Sequence, residues 1–157
     1  MEKIPMTVLG FKTLEDEQKK LKYKDRPDVI KAIAEAREHG DLSENAEYHA
    51  AKELQSFIER RITELEDKIR RSDVIDVSNI KNDKIVFGAT IELFDKKSEK
   101  ELTYQIVGID EANVEKGLIS INSPVARALM GKKIGDSVNV KTPGGEMSYE
   151  ILKIDYK

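Results

Sequence analysis

Five carboxylates recur at every third position, Glu35, Glu38, Asp41, Glu44 and Glu47, within the stretch Glu35-Ala-Arg-Glu-His-Gly-Asp-Leu-Ser-Glu-Asn-Ala-Glu47. Carboxylate oxygens are hard donors, and magnesium is commonly held by one or two of them together with substrate phosphates and water. Asp41 and Glu44 would by themselves form half of such a site. Delivered into a partner that already holds one metal ion beside a phosphodiester, the pair could retain a second ion and orient a water, as two-metal hydrolysis requires. An architectural reading stands beside the chemical one. Asp41 followed by Glu44 has the form of a capping box for a second helix, Ser43 is an alternative cap, and acids in a first turn suit the helix dipole. Capping leaves Glu35 and Glu38 unexplained, because acids at a helix C-terminus oppose the dipole. Spacing alone keeps both readings open.

Arg37 and Lys52 lie near this acidic stretch. As helix-surface partners of Asp41 or Glu53 they would contribute little in water; the alternative is contact with RNA phosphates. Tyr48 either packs against the preceding helix or stacks on a base. His39 and His49 have no second histidine at ligand spacing and read as polar helix-end residues.

The elements that must position the acids are two long helical patterns. From about Thr7 to His39, Leu9, Leu14, Leu21, Ile30, Ile33 and Ala36 approximate an apolar stripe, interrupted by Pro27, so Lys24–Asp28 is expected to be a kink or a fresh N-terminus. From Ala51, the positions Ala51, Leu54, Ile58, Ile62, Leu65 and Ile69 follow the heptad seam of a coiled coil. Its most economical partner is the first helix, reached through a turn at Gly40. Helices of this length would form a rod roughly 40 Å long with the acids at its tip.

After Val77 the texture changes to strands over Lys84–Phe94, Glu101–Ile109, Ser137–Lys141 and Met147–Ile154, with Pro143-Gly-Gly145 turning between the last two. Ser123 to Gly131 reads as a short helix with Ser123 as N-cap, Pro124 at the first helical position and Gly131 as the stop. The expected fold class is α+β: an antiparallel coiled-coil hairpin over residues 1–78, then a small antiparallel sheet with one short helix over 79–157.

Composition narrows the function classes. The net charge is −3, with 15 basic and 18 acidic residues through Ser78 and 12 of each from Asn79 onward, so no global basic field is available to hold nucleic acid. The absence of cysteine excludes disulfides and thiolate metal sites. Neither a signal peptide nor an apolar run of membrane-spanning length is found, and a cytoplasmic monomer is expected.

The stretch Ile33-Ala-Glu-Ala-Arg-Glu-His-Gly-Asp-Leu-Ser-Glu-Asn-Ala-Glu-Tyr-His-Ala-Ala51 closely resembles the tip of the bacterial Gre family of transcript cleavage factors. Ser120-Ile-Asn-Ser-Pro-Val-Ala-Arg-Ala-Leu-Met130 with Gly135-Asp136, Val86-Phe-Gly-Ala89 and Lys141-Thr-Pro-Gly-Gly145 extend the resemblance over essentially the whole chain. It implies a coiled-coil hairpin and an FKBP-like C-terminal domain that docks at the rim of the RNA polymerase secondary channel. The hairpin would then reach the active site and stimulate the polymerase's own cleavage of the nascent RNA 3′ end in backtracked complexes. On that resemblance, Asp41 and Glu44 are the tip acids that help hold a second magnesium ion, shared with the polymerase and not expected to bind tightly to the free protein.

Arg37 and Lys52 correspond to a small basic patch near the RNA 3′ segment, and Ser123, Pro124 and Arg127 are candidates for polymerase docking. Lysine at position 52 keeps the charge of the arginine frequent there but loses its bidentate fork. The limited basic surface points to the branch of the family with the smaller patch. The resemblance also implies that the chain is a cofactor of the polymerase rather than an enzyme. Two other classes stand against this reading: a channel-binding regulator that does not stimulate cleavage, and an FKBP-like binding module with a coiled-coil arm. Isomerase activity does not follow from the fold, because the strand-rich half has no tryptophan and few aromatics.

Overall fold

The computed structural model describes residues 2–157, which divide into two compact units. One consists of Glu2 and Phe11–Ser72, the other of Lys3–Gly10 and Asp73–Lys157. The expected division after residue 78 is therefore displaced, and the N-terminal segment belongs with the strand-rich unit. The physical reason is strand pairing: β1 (Ile4–Thr7) joins β2 (Ser72–Ile75) in a two-stranded sheet.

Helix α1 (Val8–Lys20), part of the helical unit from Phe11, runs into a π-helical turn, Leu21–Asp25, followed by α2 (Arg26–Arg37) and, after the acidic loop, α3 (Ala46–Arg70). The kink or restart expected around Pro27 is instead a continuous helical path, with Asp25 and Arg26 both in right-handed helical conformation. Arg26 N–H donates to the Leu21 carbonyl, one residue further back than in an α-helix. Pro27 has no N–H and its ring would clash with the carbonyl four residues earlier, so a wider turn just before it relieves both problems.

That turn shifts the apolar seam. Leu14, Leu21, Val29, Ile33 and Ala36 are buried, together with Ala51, Ile58, Ile62 and Leu65 of α3. Ile30, expected on the stripe, is 52% exposed while Val29 is 2% exposed, and Leu54 of the expected heptad seam is 51% exposed. Each fully buried aliphatic side chain contributes about 1.5–3 kcal/mol relative to exposure, which makes this seam the main support of the hairpin. Register is reinforced by charge pairs: Arg26 Nε and Nη2 donate to Glu59 at 2.7 Å each, and Arg61 donates to Glu17 at 2.6 and 3.0 Å. These pairs are half exposed and select alignment more than they stabilise.

The second unit is a five-stranded sheet in the order β5-β4-β3-β7-β6, formed by β3 (Thr90–Asp95), β4 (Lys100–Val107), β5 (Leu118–Ser120), β6 (Ser137–Thr142) and β7 (Gly145–Asp155). Three expected strands are present. The fourth, over Lys84–Phe94, is strand only from Thr90, because Gly88 at φ +88° turns the chain just before it. The sheet is also not purely antiparallel, since β5 pairs with β4 in parallel. A bulge opposite Glu92 and Leu93 lets β7 skip Leu152 and continue across the sheet.

The short helix α4 (Pro124–Leu129) forms as expected, with Ser123 Oγ accepting from Ala126 N–H at 3.2 Å and Gly131 at φ +81° beyond its end. Ala126 and Leu129 are buried with Ile91, Leu93, Ile106, Val140 and Ile151 in one core. No helix among the described residues is long and apolar enough to cross a membrane.

Candidate functional site

The loop between α2 and α3 is built from two turns, and Gly40 at φ +107° makes the first possible. Beyond it, Asp41 Oδ1 accepts from Ser43 N–H at 2.9 Å and from Ser43 Oγ at 2.8 Å, a local Asx turn. These bonds, the hydroxyl's first and the amide's second, hold the Asp41 carboxyl below its ordinary range. The charged form is thereby favoured on a fully exposed side chain.

This arrangement corrects the capping assignment. Neither Asp41 nor Ser43 caps α3: the N-cap is Asn45, whose Oδ1 accepts from Tyr48 N–H at 3.0 Å. Asp41 is occupied by Ser43, and the helix begins only at Ala46. Asn45 also has an amide to donate, which reaches the Ala36 carbonyl of α2 at 2.6 Å. Sequence reasoning missed this residue although the signal was there, since asparagine is among the strongest N-cap residues and sits immediately before the regular pattern.

Asp41 and Glu44 line one open depression of about 490 Å³, together with His39, Asn45, Ala46 and Glu47. His39 Nε2 stands 3.9 Å from Glu47 Oε2, and His49 Nε2 lies 3.3 Å from the Ser43 carbonyl. Both tip acids are exposed, and Glu44 makes no hydrogen bond or ion pair among the described residues. Glu35 faces Lys31 along the helix surface, 3.9 Å apart. The arginine and lysine singled out by sequence are outside the depression: Arg37 lies over the Tyr48 ring at 5.9 Å, and Lys52 donates to Gln55 at 3.3 Å. Arg37 thus sits at cation–π distance, and Lys52 is one helical turn beyond that ring.

Among the described residues, no three His, Asp or Glu side chains converge to hold a metal ion. The donor set of Asp41 and Glu44 nonetheless fits magnesium. It offers hard oxygens, those of Asp41 on a carboxyl held in place by Ser43, and leaves most coordination positions for water and phosphate. The docking candidates lie elsewhere, in the strand-rich unit. Ser123 is committed to its cap, Pro124 and Arg127 are exposed, and Val125 and Met130 are partly buried against the core.

Residues 4–74 match the family model described as transcription elongation factor, N-terminal, and residues 80–156 match the one described as transcription elongation factor, GreA/GreB, C-term. The chain is 63% identical over 156 residues to transcription elongation factor GreA of Ruegeria pomeroyi, and 57% identical over the same length to that of Caulobacter vibrioides; in both cases 99% of each chain is covered. Among solved structures it is similar to GreA factor homolog 1 (Gfh1) of Thermus thermophilus, at 28% identity and a TM-score of 0.45, with 98% of this chain and 99% of that one covered. With both halves matched in order and identity above one half along the full length of its relatives, the chain belongs to the GreA/GreB family of transcription elongation factors.

Proposed function

We propose that this chain binds bacterial RNA polymerase and stimulates the polymerase's own hydrolysis of nascent RNA near its 3′ end in backtracked complexes. The observation that carries the reading is the pairing of Asp41 and Glu44 in one open depression at the end of a helical hairpin, with no third ligand converging on them among the described residues. Such a pair is chemically incomplete alone and suits completion by another protein's site, so the chain acts as a cofactor and not as an enzyme.

Asp41 and Glu44 would hold a magnesium ion shared with the polymerase, which when bound supplies charge neutralisation at the phosphodiester and an activated water. The residues of this chain have separate tasks. Ser43 orients Asp41, Glu44 presents a second carboxylate, and Arg37 with Lys52 supplies positive charge toward RNA phosphates. Pro124 and Arg127, exposed on the strand-rich unit, are the docking contacts, while Ser123 supports them through its cap.

The test adds purified protein to stalled, backtracked elongation complexes and follows RNA shortening. Asp41→Ala and Glu44→Ala each abolish stimulated cleavage while polymerase binding is retained; cleavage that survives both substitutions removes the tip mechanism. Binding without cleavage by the native chain would instead support a channel-occupying regulator.

A further inference from the structure

Asn45 joins the two helix ends that frame the acidic loop. Its Nδ2 donates to the Ala36 carbonyl at 2.6 Å, and its Oδ1 accepts from Tyr48 N–H at 3.0 Å. Ala36 is itself buried in the hairpin seam and Asn45 is partly buried. One short side chain therefore ties the last turn of α2 to the first turn of α3, and residues 37–44 form the loop between the tied points. The other side-chain contacts that cross the loop are longer, 3.3 Å from His49 to the Ser43 carbonyl and 3.9 Å from His39 to Glu47, while the Asp41–Ser43 bonds lie within it.

We propose that Asn45 is a positioning residue for the tip acids, its amide clamping the helix ends so that Asp41 and Glu44 present their carboxylates to one depression. This rests on the functional reading above. The chemistry of the side chain is specific. Serine or aspartate can supply the capping oxygen, but neither carries an amide that donates to Ala36, and aspartate would set a carboxylate against that carbonyl. A loop released from the clamp must be reordered each time the two acids engage, and geometric loosening of this kind lowers turnover more than affinity.

The experiment compares native protein with Asn45→Ser, which keeps a cap and loses the clamp. In the free protein, amide exchange at Glu38, His39 and Gly40, whose N–H groups donate to the Glu35, Ala36 and Arg37 carbonyls, should accelerate by roughly tenfold, the fold-change of one net hydrogen bond. In backtracked complexes, the maximal cleavage rate at saturating factor should fall by roughly tenfold to a hundredfold. Polymerase affinity should stay near the native value, and raising the magnesium concentration should recover part of the rate.

Native-like exchange with Asn45→Ser overturns the clamp. Faster exchange with an unchanged maximal rate, or a loss confined to affinity, overturns its positioning role. Should the serine variant fail to fold, Asn45→Thr retains a neutral cap without an amide and carries the same comparison. If the native protein itself gives no stimulated cleavage, the functional reading fails and so does the role toward the acids, whereas the exchange measurement still decides the clamp.

Discussion

Val29 follows Leu21 on the buried seam of the hairpin after eight residues, one more than a heptad, and the π turn at Leu21–Asp25 absorbs the extra residue. The shift explains why Ile30 faces solvent although it continues the sequence stripe. Val29→Ala should cost about 2 kcal/mol, from two lost methyl contacts and the space they leave. Ile30→Ala should change stability by less than about 0.5 kcal/mol. Urea denaturation of the two variants measures the difference directly, and equal losses would contradict the register.

Asp41 titrates below its ordinary value of 3.8 because Ser43 donates to its charged form twice. A folded-state pKa below the unfolded one means that the contact's contribution is present above the ordinary Asp pKa and is lost as pH falls through the lowered value. Ser43→Ala removes the hydroxyl and leaves the amide, so the Asp41 pKa should rise part of the way back. Carboxyl-carbon NMR titration reads that change. Near neutral pH Asp41 is ionised in both proteins, so any change in stimulated cleavage there reports orientation rather than charge.

Gly108 is constrained by space and not by its backbone angles, since its φ of −69° is open to any residue. A Cβ there would stand 2.5 Å from the Pro5 carbonyl oxygen and 3.0 Å from the Glu111 carboxylate. The Glu111 carboxylate accepts from Gly108 N–H at 2.9 Å, from Thr7 N–H at 3.1 Å and from the Thr7 hydroxyl, holding the end of β1 beside this turn. Gly108→Ala should therefore destabilise by roughly 1–3 kcal/mol, as overpacking does. Thermal denaturation followed by circular dichroism provides the check.

Ser123 and Arg127 should separate folding from docking. Ser123→Ala loses the cap of α4 and should cost about 1 kcal/mol. Arg127 is exposed, and Arg127→Ala should leave stability within about 0.5 kcal/mol while weakening polymerase binding. Paired melting and polymerase-competition measurements distinguish the two effects; native-like binding by Arg127→Ala removes it from the docking surface.

Legibility followed the length scale of the interaction. The cap and stop of α4 were readable because Ser123, Pro124 and Gly131 act on their immediate neighbours. Strands β4, β6 and β7 were readable because alternation within each is strong enough to mark a half-buried face. By contrast β5 has three residues and pairs in parallel with a strand already assigned, a segment too short for any period to show. The N-cap of α3 was misplaced because Asp41, Ser43 and Asn45 are all good caps locally. The choice among them depends on the Ala36 carbonyl, nine residues back along the chain.

By itself, the sequence determined that two helices flank an acidic turn, that a strand-rich half follows, and that Asp41 and Glu44 recur at the spacing of the Gre tip. Those properties reside in residue types and short intervals. Tertiary structure decided the heptad slip past Pro27, the attachment of β1 to the second unit, and the role of Asn45 between two helix ends. Each depends on a partner remote in sequence or on a clash avoided in space, and neither leaves a periodic trace along the chain.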